Sequence, residues 1–171
     1  LRVHGLAVKS DLEGRTFDHD PKYLNMRIGM NARMDTIQAA VLLQKLAIFA
    51  DEIEARNRVA DRYAQGLGDV VRTPAVIDGG ISVWAQYTIE IDDRDGLAAH
   101  LKAAEIPTAV YYPIPIHKQG VYSVYPVGPG SLPATMAAAE RVISLPMHPY
   151  LEADVQDQII AAIRAFAGRN A

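Results

Sequence analysis

The sequence predicts an α+β fold, in which a long helix precedes a small, mostly antiparallel sheet with helices packed on one side. Three observations support this prediction. Apolar residues recur at helical spacing over 35–67, and apolar and polar residues alternate over 82–92. Further short amphipathic segments then alternate with strand-like ones. The chain shows no internal repeats and no low-complexity segment.

Residues 1–34 are mostly turn formers, and the long helix begins after them. Asp35 is suited to the N-cap position, and Gln38 completes a capping box. The first half of the helix is apolar nearly all round, so we expect it to be buried, whereas charged residues give the second half a solvated outer face. A helix of about thirty residues is long for a globular protein and is typical of a connection between two domains or subunits.

The remaining segments, 68–171, contain the small sheet. We expect a strand over 82–92, a helix over 94–105, and a second strand over 106–116 that Pro113 and Pro115 interrupt. A long loop over 118–132 precedes a helix, a short extended piece and a last amphipathic helix, which cover 133–143, 144–150 and 155–166.

Composition excludes several classes of function. The 171 residues carry a net charge of −3 and no cysteine, which excludes disulfides, thiolate metal sites and cysteine nucleophiles. No block of Lys or Arg favours nucleic acid, and no apolar run reaches the roughly 18 residues that span a bilayer. Without a visible signal peptide, we expect a cytoplasmic protein with neither nucleic-acid nor membrane partners.

Asn31 and Arg33 precede the apolar helix and are candidates for anion binding. A guanidinium offers a rigid fork of donors, the Asn amide adds another, and a helix N-terminus also favours anions. Alternatively, Arg33 pairs with Asp35 and Asn31 only shapes a turn. The residues alone leave both interpretations open.

Other candidates are two tyrosines and two histidines. Tyr111 and Tyr112 point to opposite faces of their strand, so one could line a cleft. His117 and His148 lie beside prolines in loops after strands, where functional side chains concentrate. His100 is expected on the surface. The five histidines show no metal-ligand spacing, so we expect no metal site.

The chain begins at Leu1 on an irregular segment without Met, and we expect it to be an internal part of a longer protein. Five blocks resemble, in this order, the C-terminal part of the DegT/DnrJ/EryC1/StrS family of pyridoxal-phosphate-dependent sugar aminotransferases, which have the type I aminotransferase fold. They are RVHG, IGMNARMDTIQAAVLLQKL, WAQYTIEIDDRDGL, IPTAVYYPIPIHKQ and SLPMHPYL. The resemblance runs from Arg2 to about Ile163.

The resemblance implies a domain plan. Residues 1–34 would end the large-domain region and carry an active-site loop, 35–67 would form the connecting helix, and 68–171 the small C-terminal α+β domain. The large N-terminal domain, which holds most of the pyridoxal 5'-phosphate contacts and the Schiff-base lysine, would be absent from this chain. No lysine of this chain lies in the family's lysine motif, so we expect no catalytic residue here and no activity of this piece alone.

The resemblance also implies roles for the candidate residues. Asn31 would bind the cofactor phosphate, and Arg33 the anionic part of a nucleotide-sugar. Tyr111 and Tyr112 match the aromatic pair that approaches the sugar, and two histidines match motif positions that we also assign to substrate binding, namely His117 and His148.

The implied activity is amination of a keto group on a nucleotide-linked sugar, a UDP-keto-hexose or keto-hexuronic acid, with glutamate as the amino donor. Family members are homodimers with shared active sites, and the expected pathway is cell-surface glycan or lipopolysaccharide biosynthesis. Two alternatives stay open. One is a related sugar dehydratase that uses the same cofactor, and the other is a stand-alone, non-catalytic module for dimerisation or ligand binding.

Overall fold

The computed structural model describes residues 6–16 and 24–168, without the side chain of Pro129. The chain divides into two compact units, Leu1–Ile48 and Phe49–Ala171, each with its own internal contacts. The RVHG block at residues 2–5 lies outside the described residues.

The first unit contains a short helix α1 (Lys9–Leu12) and the helix α2 (Thr36–Ala47). Leu6 and Asn25 form an isolated antiparallel bridge. Two guanidinium nitrogens of Arg27 donate to the two carboxylate oxygens of Asp11, at 2.5 and 2.7 Å. This paired geometry fixes orientation as well as distance. It ties the segment that leads to Asn31 back to α1.

Helix α2 begins with the predicted capping box. The Gln38 N–H donates to the Asp35 carboxylate at 2.8 Å, whereas the return contact, from the Asp35 N–H to the Gln38 side chain, is long at 3.5 Å. No residue of α2 is buried within this chain, so the expectation of burial is wrong here. More than half of each of four apolar side chains is exposed, those of Ile37, Val41, Leu43 and Leu46.

The helix predicted over 35–67 is divided into two. Helix α2 ends at Ala47 and helix α3 spans Phe49–Leu67. Between them, Ile48 has φ −106° and ψ 3°, outside the α-helical region, and its N–H donates to the Lys45 carbonyl at 3.3 Å. The helical ladder therefore tightens and stops at a position where the sequence contains neither Gly nor Pro.

The second unit is built on a two-stranded antiparallel sheet of β1 (Tyr87–Glu90) and β2 (Val142–Leu145). Tyr87 lies opposite Leu145, and Ile89 opposite Ile143. All four of these side chains are buried, as the alternation predicted for Tyr87 and Ile89. Single bridges extend the sheet on both sides, from Arg72 to Glu90 beside β1 and from Ala109 to Ser144 beside β2.

Both predicted strands are shorter than expected. Trp84 has a φ of +46°, which breaks the extended backbone before β1 begins. The segment 106–116 meets β2 only at Ala109, where N–H and C=O both pair with Ser144, at 3.2 and 2.8 Å. Prolines on either side of that bridge, Pro107 and Pro113, supply no N–H to a ladder, which accounts for the loss of the second strand.

The second unit also contains four helices: α3, α4 (Arg94–Ala103), α5 (Pro133–Arg141) and α6 (Ala153–Ala167). Of these, α3, α4 and α6 share a buried core with the two strands. Gly66 of α3 allows a close approach to α6, because a Cβ there would lie only 2.9 Å from Ile160 Cδ1. Asp93 caps α4 by accepting from the Gly96 N–H at 2.9 Å. The buried core combines helices and strands, and includes Val59, Ala60, Tyr63, Leu67, Tyr87, Ile89, Leu97, Leu101, Ile143, Leu145, Ile159 and Ile163.

The core predicts a difference between two identical substitutions. Ile163 of α6 is 0% exposed, whereas Ile77, in the loop before β1, is 82% exposed. We expect Ile163→Ala to lower the free energy of unfolding by about 2–5 kcal/mol, because it removes transfer energy and leaves a cavity. Ile77→Ala should change it by less than about 0.5 kcal/mol. Urea unfolding, followed by the fluorescence of Trp84, checks this; equal losses in the two variants would contradict the assigned core.

The Arg27–Asp11 pair leads to a prediction about how the stability of the fold depends on pH. The hydrogen bond from Arg27, and then that from the Val8 N–H, lower the pKa of Asp11 from 3.8 to about 2. A pKa lowered by folding stabilises the fold above the unfolded pKa, and this contribution disappears as the pH falls through the folded value. The pair should therefore persist down to about pH 2.

We expect Arg27→Gln to raise the Asp11 pKa back toward 3.8, as measured by NMR titration of the side-chain carboxyl carbon. Arg15→Gln is the matched control, since it removes the same charge without removing a hydrogen bond to Asp11. A larger shift from the Arg15 variant than from the Arg27 variant would refute this account.

Candidate functional site

The first unit presents a pair of donor side chains before α2. The Nε–H of Arg33 donates to Oδ1 of Asn31 at 3.0 Å, and both residues are exposed. This bond occupies the acceptor atom of Asn31 and only one edge of the guanidinium. The Nη groups of Arg33 and the amide N–H₂ of Asn31 remain available as donors. The pair therefore offers hydrogen-bond donors and one positive charge, which suits an oxyanion.

Arg33 was interpreted either as an anion-binding residue or as the partner of Asp35, and the structure partly decides between the two. The Asp35 carboxylate accepts from the Gln38 N–H and is not the partner of Arg33. Among the described residues, Asn31 is the hydrogen-bond partner that the structure records for Arg33. The Asp35 carboxylate occupies one first-turn amide of α2, that of Gln38, and places a negative charge at the helix terminus. The two side chains are therefore better placed to bind an anion than the helix terminus is.

An apolar hollow lies next to this pair along α2. It has a volume of about 650 Å³, and its lining includes Arg33, Met34, Ile37, Val41 and Leu42. Large exposed apolar surfaces on soluble proteins mark sites of interaction. The donor pair is thus carried on the end of a helix whose apolar side chains have no cover within this unit.

In the second unit, Tyr111 and Tyr112 follow the Ala109 bridge to β2. Their rings contact each other edge to face, with centroids 5.6 Å apart and planes at 70°. Both side chains are exposed, at 45% and 71%. Tyr111 lines two cavities. One, of about 290 Å³, also touches Ser144 and Met147.

The second cavity that Tyr111 lines is larger, at about 640 Å³, and lies between the segment 111–122 and helix α5. Three tyrosines contribute to its wall, together with aliphatic side chains and the polar groups of Gln119 and Thr135. No charged side chain lines it. Neither Gln119 nor Tyr122 stands out in the sequence as a candidate; the repeated tyrosines of the loop were the available signal.

His117 lies in a 3₁₀ turn, Ile116–Lys118, within the segment 111–122. The residue is half-buried, and its Nε2 atom is buried without a hydrogen-bond partner among the described residues. Buried polar atoms without partners are uncommon in folded proteins. His117 lines neither of the two cavities that Tyr111 lines.

His148 is exposed in the turn that follows β2, where its carbonyl accepts from the Leu151 N–H at 3.3 Å. It also lines neither cavity, although its neighbour Met147 lines the smaller one. The structure therefore places the two tyrosines together at the larger cavity and each histidine at a separate turn.

A clamp from α3 holds the loops beside this region, and the sequence did not reveal it. Arg56, expected on a solvated face, is partly buried and donates to the carbonyls of Trp84 and Met147, at 2.8 and 3.5 Å. Asn57 donates to the Ser82 carbonyl at 3.2 Å and accepts from the Trp84 ring N–H at 2.9 Å. Neither interaction has a periodic signature, because each joins residues far apart in the chain.

Other titratable groups of the second unit have structural roles. Burial raises the pKa of Tyr87 to about 12, so its phenol stays neutral in the core. His100, expected on the surface, is instead half-buried, with its ring 5.6 Å from that of Phe166 and its Nε2 3.2 Å from the Ala162 carbonyl. Within residues 6–16 and 24–168, no group of His, Asp or Glu is arranged to hold a metal ion. No helix in the same part of the chain is long and apolar enough to cross a membrane.

Comparison with known proteins gives consistent matches. A UDP-2-acetamido-2-deoxy-3-oxo-D-glucuronate aminotransferase of Pseudomonas aeruginosa is 46% identical over 145 residues, which are 84% of this chain and 40% of that protein. A dTDP-3-amino-3,4,6-trideoxy-alpha-D-glucose transaminase of Streptomyces venezuelae is 34% identical over 157 residues, 91% of this chain and 41% of that protein. The chain thus spans about 40% of the length of these relatives.

The fold also matches a solved structure. A DegT DnrJ EryC1 StrS aminotransferase from Brucella abortus superposes with a TM-score of 0.84 at 50% identity, over 98% of this chain and 42% of that one. This confirms the predicted type I aminotransferase fold. Residues 1–164 match the family description itself. The chain therefore belongs to the DegT/DnrJ/EryC1/StrS aminotransferase family, whose members depend on pyridoxal phosphate.

Proposed function

We propose that the protein that carries this chain is a pyridoxal-phosphate-dependent aminotransferase, which transfers an amino group to a keto group on a nucleotide-linked sugar. In this proposal the chain supplies binding groups and the rest of the protein supplies the reactive lysine. The observation that carries the proposal is the Asn31–Arg33 donor pair, in a chain that belongs to this aminotransferase family.

The donor pair fits the chemistry of the cofactor and the substrate. Pyridoxal phosphate and a nucleotide diphosphate both present oxyanions, and the pair offers an amide N–H₂ and two Nη groups. We assign Asn31 to the cofactor phosphate and Arg33 to the anionic part of the substrate. When bound, the cofactor supplies an electron sink for the carbon from which a proton is lost.

We assign the sugar to the segment that carries Tyr111 and Tyr112. Tyr111 and Tyr112 present two phenol groups and two ring faces beside cavities, which suits a ligand with hydroxyls on one edge and C–H groups on its faces. We also assign His117 and His148 to substrate binding. The unpartnered Nε2 of His117 is a group that a ligand or a neighbouring chain could satisfy.

We infer that the protein works as a homodimer with shared active sites. The support is α2, whose apolar side chains are exposed within this chain although such surfaces are normally covered. Arg33 lines the hollow on that helix, so a chain seated there would lie against the donor pair.

For the substrate we propose a UDP-linked keto-hexose, or keto-hexuronic acid, with glutamate as the amino donor. The relative at 46% identity acts, by its name, on a UDP-linked 3-oxo-glucuronate. An additional sugar carboxylate would give Arg33 a second anion to contact. We place the reaction in the cytoplasm, in a pathway that supplies sugars to cell-surface glycans such as lipopolysaccharide.

The first test is a half-reaction with the complete protein. We expect a near-visible absorbance band from bound pyridoxal phosphate, which glutamate abolishes and a UDP-keto-hexuronic acid restores. Because the band requires protein-bound cofactor, no band after addition of pyridoxal phosphate would contradict the proposal. Restoration by an uncharged keto-hexose but not by the hexuronic acid would refute the choice of sugar.

The second test separates the two donors. Arg33→Lys keeps the charge but loses the planar fork, so we expect the KM for the nucleotide-sugar to rise about tenfold. Asn31→Ala removes a hydrogen bond to a charged group, so the dissociation constant of the cofactor should rise about tenfold. Arg58→Lys, an exposed residue of α3, is the control for both measurements. If the Arg33 variant weakened only the cofactor and the Asn31 variant only the substrate, the assignment would be wrong.

A further inference from the structure

The smaller cavity beside Tyr111 begins where the two strands of the second unit end. Tyr87 and Leu145 form the last pair of the ladder. In the same register Ala85 would lie opposite Met147, and both of these residues line the cavity. They belong to the segments before β1 and after β2. Two walls of the cavity are therefore formed by chain segments beyond the end of the sheet.

Arg56 of α3 joins these two segments. Its Nη1 atom donates to the Trp84 carbonyl, in the segment before β1, at 2.8 Å. The same atom lies 3.5 Å from the Met147 carbonyl, in the segment after β2, which makes the second bond long and weak. Arg56 does not line the cavity itself. It can therefore affect the cavity only through the segments that it holds.

Trp84 is held in an unusual backbone conformation at this point. Its φ of +46° lies in the left-handed region, which a bulky residue adopts only when its surroundings require it. The ring N–H donates to Asn57 at 2.9 Å, and the backbone N–H donates to the Ser82 hydroxyl at 3.2 Å. The bond from Arg56 to the carbonyl completes this set. Together these bonds fix the direction in which the chain enters the first wall of the cavity.

The wall after β2 is attached to the same helix by two further bonds. The Tyr63 hydroxyl donates to the Pro146 carbonyl at 3.0 Å, and the Tyr150 hydroxyl donates to the Glu52 carboxylate at 2.5 Å. Glu52, Arg56 and Tyr63 are separated by four and seven residues, which places them on one face of α3. A single helix face therefore holds the turn after β2, and Arg56 links that turn to the opposite wall.

We propose that Arg56 is a positioning residue of the proposed sugar site, where it sets the separation between the two walls of the smaller cavity. The inference rests on the proposed function, because it takes the nucleotide-sugar as the ligand that these walls receive. Hydrogen bonds to fixed carbonyls have a defined length and direction, which an apolar contact lacks. Tyr111 lines the same cavity, and His148 directly follows Met147. A change in separation would thus move the proposed sugar-binding groups relative to one another.

The test compares two half-reactions of the complete protein, each followed by the absorbance of the cofactor. Arg56→Leu removes both bonds, so we expect the concentration of UDP-keto-hexuronic acid at half-maximal rate to rise about tenfold. The half-reaction with glutamate should change little, because glutamate has no sugar to place between the walls. Arg58→Leu is the matched control, since Arg58 is exposed on the same helix. A general loss of folding would impair both half-reactions.

Two further variants separate the hydrogen bonds from the bulk of the side chain. Both bonds come from one nitrogen, which the ammonium of Arg56→Lys can replace, so this variant should recover most of the lost affinity. Tyr63→Phe keeps the buried ring and loses only the bond to the Pro146 carbonyl. We expect it to raise the half-saturating concentration of the sugar in the same direction, and by less.

A structural readout of the same variants requires no turnover. The methyl resonance of Met147, assigned by its loss in Met147→Leu, reports on the wall after β2. We expect this resonance to shift in Arg56→Leu and to stay in place in Arg58→Leu. An inactive wild-type protein would refute the proposed function, whereas the Met147 resonance would still show whether Arg56 holds the wall.

Several results would overturn the inference. One is a Met147 resonance that does not move in Arg56→Leu. Another is an active protein in which Arg56→Leu leaves the half-saturating concentration of the sugar unchanged, or impairs both half-reactions equally. Equal effects of Arg56→Leu and Arg56→Lys would also contradict it, because the bulk of the side chain rather than its hydrogen bonds would then be responsible.

Discussion

The second unit depends on the burial of one face of a two-stranded sheet. Two strands alone are at best marginally stable in water, so β1 and β2 require the helices that cover Tyr87, Ile89, Ile143 and Leu145. The Tyr63 and Tyr87 rings, 5.0 Å apart, join α3 to this face. The segment 111–122 is joined to the same sheet by the Ala109–Ser144 bridge, and the turn with His148 follows β2. The positions of the candidate binding groups are therefore a consequence of how this core packs.

Helix α2 is under the opposite constraint. Its sequence is as apolar as that of a core helix, yet none of its residues is buried within this chain. Such a surface is stable in water only when another surface covers it, because leaving it exposed forgoes about 25 cal/mol for each Å² of apolar area. The capping box fixes where α2 begins, and hence where Arg33 and Asn31 emerge.

The sequence predicted those features that depend on local pattern. The cap at Asp35 and the alternation of Tyr87 and Ile89 follow from spacing, and the structure has both of them. The end of α2 at Ile48 could not be predicted in this way, because no Gly or Pro marks it in the sequence. The clamp of Arg56 and Asn57 is formed by residues about 25 or more positions from their partners, which periodicity does not record. The donor pair was visible as residues, but the choice of Asn31 over Asp35 as partner of Arg33 required geometry.

Charge and shape are divided between the two parts of this chain. The donor pair offers hydrogen-bond donors and one positive charge, which suit oxyanions in general and discriminate little among them. The neutral cavity beside Tyr111 has no charge to offer, so it can contribute only through stacking, exclusion of water and the few polar groups of its wall. The polar residues of that wall, Gln119 and Thr135, are both exposed, so water can satisfy them when no ligand does. The cavity can therefore discriminate between ligands mainly through contact with its tyrosine rings.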